Sequence, residues 1–285
     1  MAEPTTLLFG ATGALGGHVL DSLITRGVDP ATVTAAGRNP ERLQELGQSG
    51  FATATVDLSD VNRMVDVVAG HRRVVLISGG DSHRLEQHTA VIEAAAKAGV
   101  EHLYYTSGLR ADDVRFAIGA DHQATEDALI ASGVTYTILR NGWYIENYLQ
   151  AMAGPRHTGV LAAAVGDAVV AAVSRKDLAD ALASVVTSDG HDNVTYHLSG
   201  DTDFTYADIA RAMSVVLERE VTYTPVTPDE LNAMLVNSGM DEAMAGFLVG
   251  LDEAIAGGLF ARAGDDLARL IGRPTATLVE GLTHR

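Results

Sequence analysis

The sequence predicts an α/β fold, a Rossmann-type doubly wound parallel sheet followed by a smaller C-terminal lobe. Three observations predict it. Six short apolar runs alternate with helical patterns over the first half of the 285 residues, which is the signature of parallel crossover units. The run Val74–Ile77 is wholly apolar, as a strand covered on both faces has to be. A glycine-spaced segment, Gly10-Ala-Thr-Gly13-Ala-Leu-Gly16, stands between the first apolar run and the first helical pattern.

Taken in order, Thr5–Phe9 reads as a strand and Ala14–Arg26 as a helix stopped by Gly27. Thr32–Ala36 is the second strand. Pro40–Leu46 is a helix with proline at its first position, where the missing N–H has no partner to lose. Ala52–Val56 is the third strand, and Ser59 can cap a helix reaching Val68 and ending at Gly70. Strand four is Arg73–Ile77. Leu85–Ala98 is a helix stopped by Gly99, and His102–Thr106 is strand five. Asp121–Ala131 is a helix stopped by Gly133, and Thr135–Leu139 is strand six.

After Gly142 the pattern becomes irregular. A helix is expected over Ile145–Met152, a loop or hairpin over Gly154–Gly166, and a helix over Asp177–Val186 that Asp177 caps. Thr195–Leu198 reads as a strand, Thr205–Arg219 as a helix, Val221–Thr224 as a strand, and Pro228–Asn237 as a helix capped by Thr227. A helical remainder and a docked tail complete the chain. The expected division is residues 1–150 for the first domain, with elements near 168–200 returning to it, and residues 151–285 for the lobe. No repeat or low-complexity tract interrupts this plan.

Composition narrows the function classes. Apolar residues make up 47% and charged residues 20%, too apolar for a disordered chain. No apolar run approaches the roughly 18 residues of a membrane span, and the N-terminus has no basic n-region, so a cytoplasmic protein with no membrane partner is expected. Cysteine is absent, which removes disulfides, thiolate catalysis and thiolate-bound metals. The net charge is −17, so electrostatic capture of nucleic acid is disfavoured. An anionic ligand remains possible where backbone N–H groups and local cations converge.

The glycine segment has the context its mechanism needs. Gly10 permits a tight turn, Gly13 lets the backbone approach a pyrophosphate, and Gly16 lets the helix lie close to the strand. The diphosphate would rest on the exposed N–H groups at that helix's N-terminus. The second strand ends Ala-Gly-Arg38-Asn-Pro, with no carboxylate to hold a ribose 2′-hydroxyl. Arg38 can pair with a 2′-phosphate, so NADPH is the expected cofactor; the alternative is a solvated loop arginine. Asp57 either accepts from an adenine amino group or caps a turn beside Ser59. Ser78, Gly79 and Gly80 at the end of strand four, and Thr106 and Ser107 at the end of strand five, lie on the same carboxyl-end rim.

Of the 20 basic Lys and Arg residues only Lys97 and Lys176 are lysines, and four residues before them stand Glu93 and Ala172. No Tyr-x-x-x-Lys pair exists, so dehydrogenation or epimerisation by that acid–base device is disfavoured. Quinone reduction fits, because an electrophilic acceptor yields a stabilised anion and asks mainly for binding and orientation. His122 and Glu126 share a helical face. With an ordinary pKa near 6.5, His122 could relay a proton, or the two could be a plain helix-end pair. Asn141 could bond a carboxamide or substrate carbonyl. Trp143, the only tryptophan, and Tyr144 could stack on a planar substrate, or Trp143 could plug the lobe; Tyr148 can join either cluster. His83, His88, His191 and His197 lack metal spacing, and no metal site is expected.

These motifs carry a resemblance. Gly-Ala-Thr-Gly-x-Leu-Gly, Arg38-Asn-Pro, the block Leu139-Arg-Asn-Gly-Trp-Tyr144-x-Glu-Asn-Tyr148, Gly257-Gly-Leu-Phe260 and Leu270-Ile-Gly-Arg-Pro-Thr-x-Thr277 resemble the NmrA-like atypical short-chain dehydrogenases, and among these the bacterial type 2 NAD(P)H:quinone oxidoreductases most. The likeness runs from about residue 5 to 283. It implies an NADP-binding Rossmann domain, a small substrate-covering lobe, and a quinone as substrate. It further implies cofactor contacts from Gly10, Ala11, Thr12, Gly13, Ala14 and Leu15, from Arg38, from Ser78–Gly80, from Arg140, Asn141, Gly142, Trp143 and Tyr144, and from Arg175. The chain departs from the pattern at Ser78-Gly79-Gly80, where relatives are serine-rich, and after Phe260. A monomer or homodimer is expected. Two other classes stay open. One is a non-catalytic NADP(H)-binding redox sensor, which needs the glycine loop but no aromatic cleft. The other is an isomerase or ene-reductase, against which the shortage of lysine argues.

Overall fold

The computed structural model describes residues 5–113 and 117–283. In chain order the first elements are β1 (Thr5–Phe9), α1 (Ala14–Thr25), β2 (Val33–Gly37), α2 (Pro40–Gln48), β3 (Ala52–Thr55), α3 (Met64–Val68), β4 (His71–Ile77), α4 (Arg84–Ala98), β5 (His102–Gly108), α5 (Ala117–Ala131) and β6 (Tyr136–Asn141). There follow α6 (Tyr148–Ala151), α7 (Ala153–Thr158), β7 (Val160–Ala163), β8 (Val169–Val170), α8 (Arg175–Thr187) and β9 (Val194–Leu198). The chain closes with β10 (Phe204–Thr205), α9 (Tyr206–Leu217), β11 (Thr222–Pro225), α10 (Pro228–Asn237), α11 (Glu242–Ala256), α12 (Asp266–Ile271) and α13 (Leu278–Thr283).

Two compact units emerge. The first takes the chain up to Asp112, then Ile118–Asn141 and Lys176–Tyr196; the second takes Gly142–Arg175 and the chain from His197. The crossing at Asn141 falls earlier than the expected boundary at residue 150, because β6 ends the sheet ladder there. The helix α8 belongs almost wholly to the first unit.

A seven-stranded sheet has the order β3-β2-β1-β4-β5-β6-β9, with β1 to β6 pairing in parallel. The strand order reverses between β1 and β4, which opens a crevice at their carboxyl ends. The centre of the sheet is dry: Leu7, Phe9, Val74, Leu76, Leu103, Tyr105 and Ile138 join one core cluster with Val91, Ile92 and Leu129. Each such side chain contributes about 1.5–3 kcal/mol by leaving water. At the edge, β3 alternates small and polar residues and is largely exposed. Local chemistry fixes the helix ends. The Asn39 side chain accepts the N–H groups of Glu41 and Arg42 ahead of Pro40, and α4 stops where Gly99 turns left-handed at φ +70°.

The second unit has its own core, in which Ile145, Met213, Ile209, Val170 and Leu282 are buried. Thr205 and Asp208 cap α9 reciprocally, and Thr227 and Glu230 cap α10 the same way. The segment expected as a loop or hairpin over 154–166 instead holds nearly all of α7 and then β7, which pairs in parallel with β11. Val160 is in register with Thr222; a partner that distant leaves no mark on local periodicity.

Candidate functional site

The rim of the first unit is built where β1, β2, β4, β5 and β6 end. At Gly10 the backbone has φ +81°, a conformation that an L side chain resists. The Gly13 N–H closes the turn onto the Gly10 carbonyl at 3.0 Å. A Cβ on Gly16 would overlap the Gly10 carbonyl oxygen and stand 2.8 Å from the Ala11 Cα. Helix α1 thus starts tight against the strand it follows. Gly13 is its N-cap; no side chain caps it and its first turn holds no acid. Its first N–H groups and dipole are therefore available to an anion. Within the loop Ala11 and Leu15 are buried, Thr12 is half-buried, and Gly13 and Ala14 are exposed.

Arg38, one residue past β2, is exposed, and its charge lowers the pKa of Asp57, though less than the Ser59 bonds do. Asp57 accepts the Ser59 N–H at 2.9 Å, which is the turn-capping role; its exposed carboxylate remains on the rim. Ser78 donates its N–H to Thr106 Oγ1 at 2.9 Å, tying the end of β4 to β5. Gly79 and Gly80 have nothing within 4 Å of where a Cβ would stand, so this turn faces open space. The loop, the unencumbered helix end, the guanidinium and the open glycine turn fit a phosphorylated dinucleotide.

Behind the rim lies a buried ion pair. Arg140 on β6 holds Glu126 on α5 through two bonds, Nε to Oε1 at 3.0 Å and Nη2 to Oε2 at 2.7 Å. Ser107 donates to the same carboxylate at 2.5 Å, and Asp112 stands 3.3 Å from Arg140 Nη1. Glu126 is 2% exposed. The helical spacing that aligned Glu126 with His122 therefore produces no pair between them. The Arg140 guanidinium is committed to carboxylates, which leaves its main chain, with Asn141, as the part of this segment that can meet a ligand. Asn141 is buried and its carbonyl accepts the Leu109 N–H at 2.8 Å.

His122 packs elsewhere. Its Nδ1 is 2.8 Å from the Tyr105 hydroxyl. Its Cδ2 edge lies against Gly108, where a Cβ would come within 3.1 Å. Glycine at the end of β5 lets the ring approach the strand without that crowding. Burial pushes the His122 pKa down to about 4, and the Arg84 charge adds to the shift. A ring that is neutral at pH 7 offers an N–H rather than an imidazolium proton, unlike the ring of ordinary pKa that the sequence suggested. His88, which the sequence marked only as lacking metal spacing, is 1% exposed, and burial takes its pKa down to about 4 as well. Sequence reasoning missed Tyr105, Gly108 and Thr125 in this cluster. The available signal was the tyrosine pair Tyr104-Tyr105 in the middle of a run expected as a covered strand.

A pH dependence follows. The folded chain keeps both histidines neutral down to about pH 4, while the unfolded chain protonates them near 6.5. Their stabilising contribution is complete above pH 6.5 and is lost as pH falls from 6.5 to 4, by about 3 kcal/mol per histidine. Urea unfolding of wild type and of His88→Leu across that interval checks it. The wild-type curve falls and the variant's falls less; parallel curves would remove the assignment.

In the second unit, Gly142 to Tyr148 carry the aromatic residues. Trp143 is half-buried with its ring centroid 5.0 Å from that of Phe260. The half-buried Tyr144 ring lies under the Arg175 guanidinium at 4.8 Å. Arg175 Nη2 also reaches Asn147 Oδ1 at 3.2 Å, and its N–H donates to Glu146 Oε1 at 2.8 Å. Tyr148 is different: it is 5% exposed in the core of this unit with a buried hydroxyl, so its ring packs and does not face a ligand there.

The family model described as NAD(P)H-binding matches residues 10–189. The chain is 37% identical over 280 residues to quinone oxidoreductase 2 of Escherichia coli K12, covering 96% of each chain. It is similar to the solved structure of an NADPH-dependent quinone oxidoreductase from Escherichia coli complexed with NADPH. That match has a TM-score of 0.92 and 34% identity, over 98% of this chain and 99% of that one. The triphenylmethane reductase of Citrobacter sp. complexed with NADP(H) matches with a TM-score of 0.91 and 31% identity, over 98% and 99% of the two chains.

Proposed function

The chain belongs to the NAD(P)H-binding family and, within it, to the NmrA-like reductases, and from that premise we propose that it reduces quinones and similar small conjugated electrophiles with NADPH. The observation that carries the reading is likeness along nearly the whole chain to an enzyme named for quinones and to a structure holding NADPH. The lack of a Tyr-x-x-x-Lys pair supports it, since a quinone asks little of a strong acid. No described helix is long and apolar enough to cross a membrane; a cytoplasmic setting is part of the proposal.

The bound cofactor supplies a hydride to the acceptor. Every other demand falls on the chain's own groups. The Gly10–Gly16 loop and the α1 N-terminus take the diphosphate, and Arg38 takes the 2′-phosphate. Ser78, Gly79, Gly80, Thr106 and Ser107 flank the sugar and phosphates, and Asp57 the adenine end. Asn141 holds the carboxamide or the acceptor carbonyl. His122 offers a neutral N–H to the oxygen on which negative charge develops, as preorganised donors do. Trp143 and Tyr144 supply flat apolar surface, and Arg175 steadies Tyr144.

The test mixes protein, NADPH and a small benzoquinone and follows the loss of nicotinamide absorbance. Turnover is expected. Tight NADPH binding without turnover would move the chain to the redox-sensor class. Arg38→Ala is expected to weaken NADPH by about tenfold to a hundredfold, the worth of one charge-assisted contact, while leaving NADH affinity unchanged. Titration of both cofactors checks it, and an unchanged NADPH:NADH ratio would remove Arg38 from the site.

A further inference from the structure

The hydrogen bonds around His122 carry more than its location. Thr125 on α5 spends its single hydroxyl proton on the Asp121 carbonyl at 2.8 Å. Its oxygen, 3.3 Å from His88 Nδ1, can then only accept. His88 Nδ1 therefore carries a proton. Its Nε2 is buried with no partner among the described residues, the natural place for the bare nitrogen of a neutral ring. The Tyr105 hydroxyl lies 3.5 Å from His88 Nδ1 and 2.8 Å from His122 Nδ1. It cannot donate to a nitrogen that already bears hydrogen. Of its two remaining partners, the Thr125 oxygen and His122 Nδ1, the latter is at 2.8 Å and has no other donor to it among the described residues. The proton therefore goes to His122 Nδ1, and the oxygen is left to accept from His88.

We infer that Tyr105, oriented by the His88–Thr125 pair, is a positioning residue that locks His122 in the tautomer protonated on Nε2, so that a pre-aimed N–H stands at the carboxyl end of β5. The geometry suits that purpose. Tyr105 is fully buried in the sheet core and cannot swing away. Gly108 leaves the Nε2 edge beside the strand end, where an added Cβ would be 3.5 Å from that nitrogen. The charged neighbours, Arg84 and Asp121, pair with each other at 3.0 Å and so compete little for the ring nitrogens. The opposite tautomer would set two N–H or O–H donors against one another at 2.8 Å or turn the hydroxyl away to the Thr125 oxygen, which already takes the His88 N–H. A donor whose tautomer is fixed beforehand stabilises developing oxyanion charge without reorganising during the reaction. The inference rests on the reading of His122 as the donor to the acceptor oxygen.

The experiment is nitrogen NMR of the uniformly labelled, full-length protein, which separates pyridine-type from pyrrole-type ring nitrogens without any need for turnover. Wild-type His122 is expected to show a pyridine-type Nδ1 and a pyrrole-type Nε2, and His88 the reverse. Tyr105→Phe keeps the ring and removes the hydroxyl. It is expected to give His122 a mixed or reversed pattern, and to lower quinone turnover about tenfold with the KM for NADPH unchanged. Thr125→Ser keeps the hydroxyl and is expected to retain the wild-type pattern, whereas Thr125→Val loses the His88 assignment. A pyrrole-type Nδ1 on wild-type His122 overturns the inference, as does Tyr105→Phe with pattern and turnover both intact. Wild-type protein with the expected nitrogens but no NADPH oxidation by quinones upholds the tautomer and overturns the functional reading instead, so the two failures are distinct.

Discussion

Replacing Glu126 by alanine is expected to destabilise the first unit by about 3–5 kcal/mol, the usual result of leaving one partner of a buried ion pair behind. Its partner is the Arg140 guanidinium, held by two bonds, while Ser107 loses its acceptor as well. Asp112 stands at 3.3 Å from Arg140 but is two-thirds exposed on its side chain, so water screens it and it cannot replace the lost carboxylate. Thermal unfolding should shift down by roughly 10 °C. The combination Glu126→Leu with Arg140→Met removes both charges and should recover most of the loss. A single variant that melts with wild type would mean the guanidinium finds water in the folded state, contrary to the burial of the pair.

Gly16→Ala is expected to weaken NADPH binding by at least about a hundredfold, or about 2.8 kcal/mol. The added methyl meets main chain, the Gly10 carbonyl and the Ala11 Cα, and neither can give way as a flexible side chain would. The turn has to open, and the Gly13 N–H to Gly10 carbonyl bond goes with it. The α1 N-terminus is then displaced from the anion it is shaped to receive. Fluorescence titration with NADPH reads the loss, and circular dichroism reports whether the fold persists. Gly79→Ala is the control. It adds the same methyl into open space, so it should not perturb the fold. If Gly16→Ala bound NADPH as tightly as wild type, the close approach of helix and strand would have no part in the site.

The local readings that held best are those whose cause is local. Pro228–Asn237 has the boundaries expected from its proline and from Thr227, because a capping box closes within four residues. The β1–loop–α1 unit was legible for the same reason: a turn, a close approach and a helix start are all written in seven consecutive residues. Arg38 was legible because it follows a strand directly, and the end of a strand fixes which rim a residue joins. What failed to show was pairing across distance. Glu126 and His122 share a helical face, yet Glu126 is taken by Arg140 of β6 with Ser107 of β5, and His122 by Tyr105 of β5, partners that only the closed sheet brings up to the helix. Tyr148 stands four residues beyond Tyr144, but only packing decided that it fills a core. The two-residue strands β8 and β10 are too short to have a period at all.

Composition and order along the chain were enough by themselves to dictate a crossover sheet, a dinucleotide-shaped first turn, an arginine on the strand-end rim, the absence of a Tyr-x-x-x-Lys pair and the exclusion of cysteine-based chemistry, because each depends on residue identity or near-neighbour spacing. Tertiary structure alone decided which histidine nitrogen bears a proton, which carboxylate neutralises Arg140 and how far the pKa values of His88 and His122 fall, because hydrogen bonding and desolvation are set by groups that meet only when distant strands and helices close around them.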